Sequence, residues 1–463
     1  SRNGCRRDWE AMVLDPNEAQ RARAVSESEQ RAQVRKAALA SCVGTSIEWY
    51  DFFLYGTAAA LVFPKVFFPE SSAYVGALEA FAAYAVGFAA RPVGAAIFGH
   101  WGDRIGRKAT LIVTLLMMGV ATAIIGVLPG TDTIGAAAPI LLVLLRVLQG
   151  IAVGGEWSGS VLLAMEWGDQ KRRGLMGSWA QIGVPVGLIL GTGGMSALYA
   201  LAPDAFLSWG WRVPFLFSLA LVAIGLWVRL RIIETPMFAK IVEQKAVAKL
   251  PVVEVVKRYP KEIILTSLAR FSEQMPFYIF TTFALSYVVG QGLSEGFALN
   301  AVMAAAALQL VSLPLFSHLS DTLGRKRVYM AGAAVTGVFG FVYFGMLNTG
   351  SAVLAFIAIF VSLIPHDMQY GPQAALIAES FPTSLRYGGA GIGYQLSSVF
   401  AGGPAPLIAT LLLHHFGTAY AISGFILFAA IVSLLATWAL PDRSRADITD
   451  ESVYARPAAQ PAG

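Results

Sequence analysis

Twelve apolar stretches, each about 20 residues or longer and so able to cross roughly 30 Å of hydrocarbon as a helix, set the limits on this chain. They lie near 38–62, 74–98, 109–128, 137–162, 175–200, 211–231, 262–289, 296–316, 328–347, 352–378, 388–413 and 418–440. In lipid the backbone has no water to bond, so a spanning segment must satisfy its own N–H and C=O groups, which a helix does. The expected fold is an all-α polytopic membrane protein with twelve transmembrane helices. Composition agrees: 14 % of the 463 residues are charged, against roughly 25 % in soluble domains. That shortage excludes an ordinary soluble enzyme and a disordered chain. Two cysteines, Cys5 and Cys42, form neither a disulfide framework nor a metal site.

Lysine and arginine give the topology. Residues 1–36 carry Arg2, Arg6, Arg7, Arg21, Arg23, Arg31, Arg35 and Lys36, and with no apolar core they do not read as a signal peptide. Later clusters on the same side are Arg104/Arg107/Lys108, Lys171/Arg172/Arg173, eight bases from Arg229 to Lys261, Arg325/Lys326/Arg327, Arg386, and Arg443/Arg445/Arg456. The opposite connections hold little beyond Lys65. The positive-inside rule then puts both termini in the cytoplasm of a cell with the chain in its inner or plasma membrane. The net charge of +5 is read as basic loops against anionic lipid, with no nucleic-acid partner. Expected segments are a cytoplasmic tail 1–36, a six-helix bundle 37–231, a cytoplasmic linker 232–261 with short amphipathic helices, a second bundle 262–440, and a mobile cytoplasmic tail 441–463.

The halves repeat. Gly99-His-Trp-Gly-Asp103-Arg104-Ile-Gly106-Arg107-Lys108 after the second span matches Ser317-His-Leu-Ser-Asp321-Thr-Leu-Gly324-Arg325-Lys326 after the eighth. Glu166 followed seven residues later by Arg173 recurs as Glu379 and Arg386. Repeats of this kind in a carrier put the substrate site between the halves near mid-membrane.

The first of these loops resembles the loop motif of the major facilitator superfamily, and Arg146-Val-Leu-Gln149-Gly150 through Gly154-Gly155-Glu156 resembles its fourth-span motif. Glu48-Trp-Tyr-Asp51-Phe-Phe-Leu-Tyr-Gly, Trp209-Gly-Trp-Arg212-Val-Pro-Phe, Glu234-Thr-Pro and residues 366–406 are similar to the metabolite:proton symporter family within it. The resemblance covers about residues 37–440. It implies two six-helix pseudo-repeats working by alternating access, and proton-driven uptake of a small organic acid or zwitterion; family members take shikimate, 2-oxoglutarate, citrate, proline or betaine. It implies no cofactor beyond the proton as coupling ion, and a functional monomer in the bilayer. The second loop departs from the pattern, with Ser317 and Ser320 where the first has Gly99 and Gly102, so equal gating roles for the two halves do not carry over.

Charges inside spans are costly unless paired or hydrated, which marks them as candidates. A symporter needs a carboxylate that takes and releases a proton, and for an anionic substrate a cationic fork that binds a carboxylate bidentately. Asp51, with Glu48, Glu156, Glu273, His366 and Asp367, forms the expected proton-coupling set. Arg146 leads the expected substrate contacts, followed by Gln149, Arg91, Gln181, Arg270, Gln274, Tyr278, Gln369, Tyr370 and Gln395. Arg91 would also be free to snorkel toward the cytoplasm. The same charges would serve helix packing if they only neutralised one another, and His366 could be fixed by its neighbour without a transport role.

The gating set is Asp103, Arg104, Gly106, Arg107, Lys108, Glu166, Arg173, Asp321, Arg325, Glu379 and Arg386. Asp103 is expected at a helix N-terminus, whose free N–H groups favour an anion. Arg107, Lys108 and Arg173 would pair with Glu166, and Arg325 or Arg386 with Glu379, latching the cytoplasmic side. Gly183, Pro185, Gly187 and Gly191 are expected to let the fifth helix approach a neighbour. No nucleophile–base pair, phosphate loop or metal spacing points to an enzyme. The competing readings are an exporter of drugs or sugars, whose site should be larger and more apolar, and a channel, which would carry unsaturating current.

Overall fold

The computed structural model describes residues 27–71, 73–231, 251–448 and 450–454. The N-terminal basic cluster up to Arg23, the linker from 232 to 250 with Glu234, and Arg456 lie outside them, as does the side chain of Arg107. The described residues form helices and no strands. In the first half these are α1 (Glu27–Leu61), α2 (Ala73–Ile105), α3 (Arg107–Val127), α4 (Ala137–Trp167), α5 (Arg173–Leu201) and α6 (Arg212–Leu230). In the second, α7 runs in four consecutive pieces, Pro260–Ala269, Phe271–Tyr278, Ile279–Phe283 and Ala284–Gly290. Then come α8 (Glu295–Leu323), α9 (Arg325–Leu347), α10 (Ala352–Ala378), α11 (Arg386–Ser397, Ser398–Gly402 and Ala405–Phe416) and α12 (Tyr420–Ala439).

Nine described helices are long and apolar enough to cross a membrane. The other three expected spans correspond to α1, α2 and α7. Helix α1 reaches back to Glu27, into the polar stretch expected to be tail, and carries Glu48 and Asp51. Helix α7 breaks at Arg270 and again at the π-turn Ile279–Phe283 behind Pro276, and α11 has a matching π-turn at Ser398–Gly402. Such turns are frequent at functional sites.

The halves pack alike: α1 on α5, α2 on α4 and α3 on α6 in the first; α7 on α11, α8 on α10 and α9 on α12 in the second. Across the seam, α2 meets α11 and α5 meets α8. The α5 glycines permit one of these close approaches. A Cβ on Gly187 would lie 2.6 Å from Trp49 Cβ, and one on Gly183 2.6 Å from Thr45 Cβ, so only glycine lets α5 lie against α1. The perimeter is apolar, with Leu201, Trp438, Val353 and Val311 more than half exposed, while the interior buries charged residues such as Asp51, Arg91, Arg146 and Arg270 among apolar ones. That inversion of the soluble pattern is the one a bilayer demands.

Both described chain ends lie on one face, called here the basic face. Two expectations about it are corrected. The C-terminal segment is no mobile tail over residues 441–454: Ile448 and Tyr454 are buried, and Arg173 donates to the carbonyls of Arg443, Ser444 and Ala446 at 3.1–3.3 Å. Arg229, counted among the loop bases, is buried in α6 and ion-paired with Glu156 of α4. Of the linker, the described helix Pro251–Arg258 packs between α2 and α11 with Val255 buried and Val253 and Val256 exposed.

Candidate functional site

A cavity lies on the seam. Helix α1 contributes Trp49 and α5 Val184; α7 contributes Arg270, Glu273, Gln274, Phe277 and Tyr278; α10 contributes His366 and Tyr370, and α11 Tyr394. Counted along their helices at 1.5 Å per residue, Arg270 and Val184 sit about 15 Å in from the basic face, so the cavity is near mid-depth.

Its charges form one chain. Arg270 Nη2 lies 3.3 Å from Glu273 Oε2, Nε donates to Gln373 Oε1 at 3.2 Å, and Nη1 donates to the Tyr394 carbonyl. Gln373 donates onward to Glu273 at 2.9 Å and to the Tyr329 hydroxyl at 3.1 Å. Glu273 Oε1 is 3.3 Å from His366 Nε2, and His366 Nδ1 is 3.0 Å from Asp367 Oδ1. Gln309 donates to Asp367 at 2.7 Å, and the Ser312 hydroxyl donates to its other oxygen. An imidazole that donates from both nitrogens is an imidazolium, and in that state Arg270, His366, Glu273 and Asp367 sum to zero charge. Gln274 Oε1 and the Tyr278 hydroxyl are buried on the cavity with no hydrogen-bond partner. They are the groups a hydroxylated ligand would meet.

The leading sequence candidates stand elsewhere. Arg146 does not line the cavity; it donates to Gln149 at 3.1 Å and lies 4.3 Å over the Tyr55 ring, while Gln149 donates to Thr122 at 2.7 Å. Asp51 is fully buried beside Thr122 and Arg146, with neither carboxylate oxygen hydrogen-bonded. Glu48 is buried with Oε2 unbonded. Arg91 does not snorkel. It stays buried over Phe88 and Phe52, 4.3 and 4.9 Å from their ring centres. Glu156 is held by Arg229, Thr114 and Ser160.

Of the polar candidates, Gln274, Tyr278 and Tyr370 line the cavity and the others do not. Gln181 bridges the seam, accepting from Trp157 Nε1 at 2.9 Å and donating to the Tyr370 carbonyl at 3.1 Å. Gln395 donates across it to the Val153 carbonyl at 3.4 Å. Gln369 ties α10 to Ser272 and to Thr336. Residues the sequence reading passed over include Gln373, which sits two helical turns beyond His366 on the same face of α10, and Trp49.

Both exits are closed. Toward the opposite face, Trp49, Phe52 and Phe88 pack on Phe277 and Tyr278 across the seam, with centroids 5.5–6.3 Å apart. Toward the basic face, Asp103 accepts from the Tyr387 and Gly388 amides at 3.1 and 2.9 Å, at the start of α11. Asp321 accepts from the Gly174 and Leu175 amides, both at 2.9 Å, at the start of α5. Each acid caps a helix of the other half, so the two loops make the same contact despite their glycine-to-serine difference. Room explains it. A Cβ on Gly102 would lie 2.5 Å from the Tyr387 ring, whereas Ser320 faces Gly174 and folds its hydroxyl onto the Ser317 carbonyl. Gly106 and Gly324 start the following helices at φ 106° and 104°, a conformation that favours glycine.

Arg325 pairs with Glu379 as expected, whereas Arg173 binds Glu379 in place of Glu166 and Arg386 binds carbonyls. Arg173 reaches across the seam to Glu379 at 2.8 Å, and Arg325 holds both Asp321 at 2.5 Å and Glu379 at 3.3 Å. Arg386 donates to the carbonyls of Phe381 and Ile448, which ties the C-terminal segment to α11. Arg104 is exposed, 3.3 Å from His100; Glu166 is buried and Lys108 half-buried.

The sequence profile of the Major Facilitator Superfamily matches residues 41–402 and 301–457. The chain is a member of the major facilitator superfamily. Members of this superfamily are transporters, and the chain is a multi-pass membrane transporter, not an enzyme. It is 42 % identical over 421 residues to the shikimate transporter of Escherichia coli, covering 90 % of this chain and 96 % of that one. It is 39 % identical over 389 residues to the inner membrane metabolite transport protein YhjE of the same organism, with 82 % and 88 % covered. The E. coli proline/betaine transporter is 30 % identical over 414 residues, with 87 % and 82 % covered. Among solved structures, the proton:xylose symporter XylE bound to 6-bromo-6-deoxy-D-glucose shares the fold at a TM-score of 0.73, with 16 % identity and 92 % of this chain and 99 % of that one covered.

Proposed function

We propose that this transporter takes up a small hydroxylated carboxylic acid of the shikimate kind together with a proton, by alternating access through the seam cavity. It works as a monomer without a cofactor in the inner or plasma membrane, with the basic face and both termini in the cytoplasm. The observation that carries this reading is the buried chain Arg270–Glu273–His366–Asp367 on a cavity that also holds unpartnered Gln274 and Tyr278 oxygens. Arg270 is the fork for the substrate carboxylate, and Glu273 already occupies it. An arriving carboxylate adds one negative charge to a balanced buried site, which is costly in low dielectric. A proton on Glu273 removes that charge and releases Arg270, so substrate and proton enter together. The buried charges on the cavity argue against a drug exporter, whose site should be more apolar. The 42 % identity to a shikimate transporter supports the substrate class.

A second proton site has one observation in its favour: Asp51 is buried with no hydrogen bond to its carboxylate. Isothermal titration of shikimate in buffers of different ionisation enthalpy tests the coupling. One proton taken up per shikimate bound supports it; binding without proton uptake contradicts it.

A further inference from the structure

Tyr394 is held on both faces. The Trp157 indole stacks on its ring with centroids 3.6 Å apart and planes 15° from parallel. Arg270 Cζ lies 3.3 Å from the same centroid. Two groups that close to one ring centre would overlap on a single face, so the phenol is sandwiched between them. The sandwich crosses the seam, because Trp157 is on α4 while Tyr394 and Arg270 belong to the second half. Each layer is fixed: Trp157 Nε1 donates to Gln181, and Arg270 donates to the Tyr394 carbonyl. Tyr394 lines the cavity, and two turns nearer the basic face Tyr387 donates to the Gly155 carbonyl at 2.6 Å. The sandwich is therefore the innermost layer between the cavity and the basic face.

We infer that Trp157 is a positioning residue, which with Tyr394 forms the inner door of the cavity, and that Arg270 latches this door directly. The inference rests on the reading of Arg270 as the substrate anchor. Opening toward the basic face pulls Trp157 off Tyr394 and strips one side of the support from Arg270, so the group that binds substrate is also one leaf of the door. Release of substrate to the cytoplasm then follows from opening, with no separate signal between gate and site.

The test uses Val184→Cys, which lines the cavity behind the door and is buried, labelled from the basic face in a chain with Cys5→Ser and Cys42→Ser. Its rate of labelling by a hydrophilic maleimide should be low. Trp157→Leu should raise it about three- to tenfold, the scale of a lost aromatic stack and indole hydrogen bond. Arg270→Gln should raise it by a similar factor, and the double variant little further, since both act on one ring. Trp157→Phe keeps a stacking ring and should stay near the background rate. If Trp157→Leu does not fold, Tyr394→Leu removes the shared ring and carries the same expectation. Rates unchanged by either substitution, or factors that multiply in the double variant, overturn the inference. The shift in melting temperature of the background protein with shikimate is read separately: its absence removes the substrate reading, while labelling alone decides the door.

Discussion

Replacing Asp103 by asparagine tests the latch with little change in size. The carboxylate accepts from the Tyr387 and Gly388 amides at 3.1 and 2.9 Å, both buried where α11 begins. Hydrogen bonds to a charged acceptor contribute about 1.5–3 kcal/mol and neutral ones about 0.5–1.5. Asparagine offers one oxygen, so one bond is weakened by about 1 kcal/mol. The other is lost, because the side-chain NH₂ then faces a second donor. The combined loss is about 3 kcal/mol, a shift of about two orders of magnitude toward the released latch. Hydrogen exchange by mass spectrometry should show amides of the peptide containing Tyr387 and Gly388 exchanging about a hundred times faster. Those of Gly174 and Leu175, capped by Asp321 in the mirrored latch, should change less. Shikimate affinity should stay near normal while transport falls, because the cavity lies a layer away. Unchanged exchange at Tyr387 and Gly388 would refute the capping role of Asp103.

Three further outcomes are expected. Arg270→Lys keeps the charge but loses the planar fork, so shikimate binding should weaken by about 1–3 kcal/mol, or roughly fivefold to 150-fold in Kd by titration; an unchanged Kd would move the anchor elsewhere. Glu273→Gln should mimic the protonated site, sustaining shikimate exchange across proteoliposomes but abolishing accumulation against a gradient, whereas Asp51→Asn should leave accumulation intact; the reverse pattern assigns the coupling proton to Asp51. Gly187→Leu forces a side chain into the 2.6 Å gap to Trp49 Cβ and should cost about 1–3 kcal/mol by overpacking, read as a lower melting temperature, while Gly193→Ala, whose Cβ would meet nothing within 4 Å, should leave it unchanged.

The helical membrane fold was legible because span length and backbone satisfaction leave few alternatives, and the repeated loops gave away the twofold plan. Asp103 was likewise readable as a helix-capping anion, and the repeat carries the same role to Asp321 once the structure shows it. Partners were harder. Arg173 binds Glu379, 206 positions away, a contact set by how the halves dock, which one-dimensional spacing does not encode. Arg146 drew attention as one of three arginines inside spans, yet its neighbours Gln149 and Tyr55 occupy it, and only the tertiary arrangement shows that Arg270 faces the cavity instead. Tyr394 is readable in sequence as a polar group of the eleventh span, while Trp157 looks like ordinary apolar filling. Their importance comes from meeting across the seam. The docking of residues 441–448 and 450–454 was hidden for the same reason, because their polar composition suggests a solvated tail while Ile448 and Tyr454 are buried.

The central claim is that a proton and a carboxylate enter this cavity together. Proteoliposomes holding the purified protein and given an imposed inward proton gradient should accumulate labelled shikimate well above the outside concentration, and a protonophore should bring the level back to equilibration. Accumulation that persists after the gradient is collapsed, or equilibration alone while the gradient stands, would contradict the account.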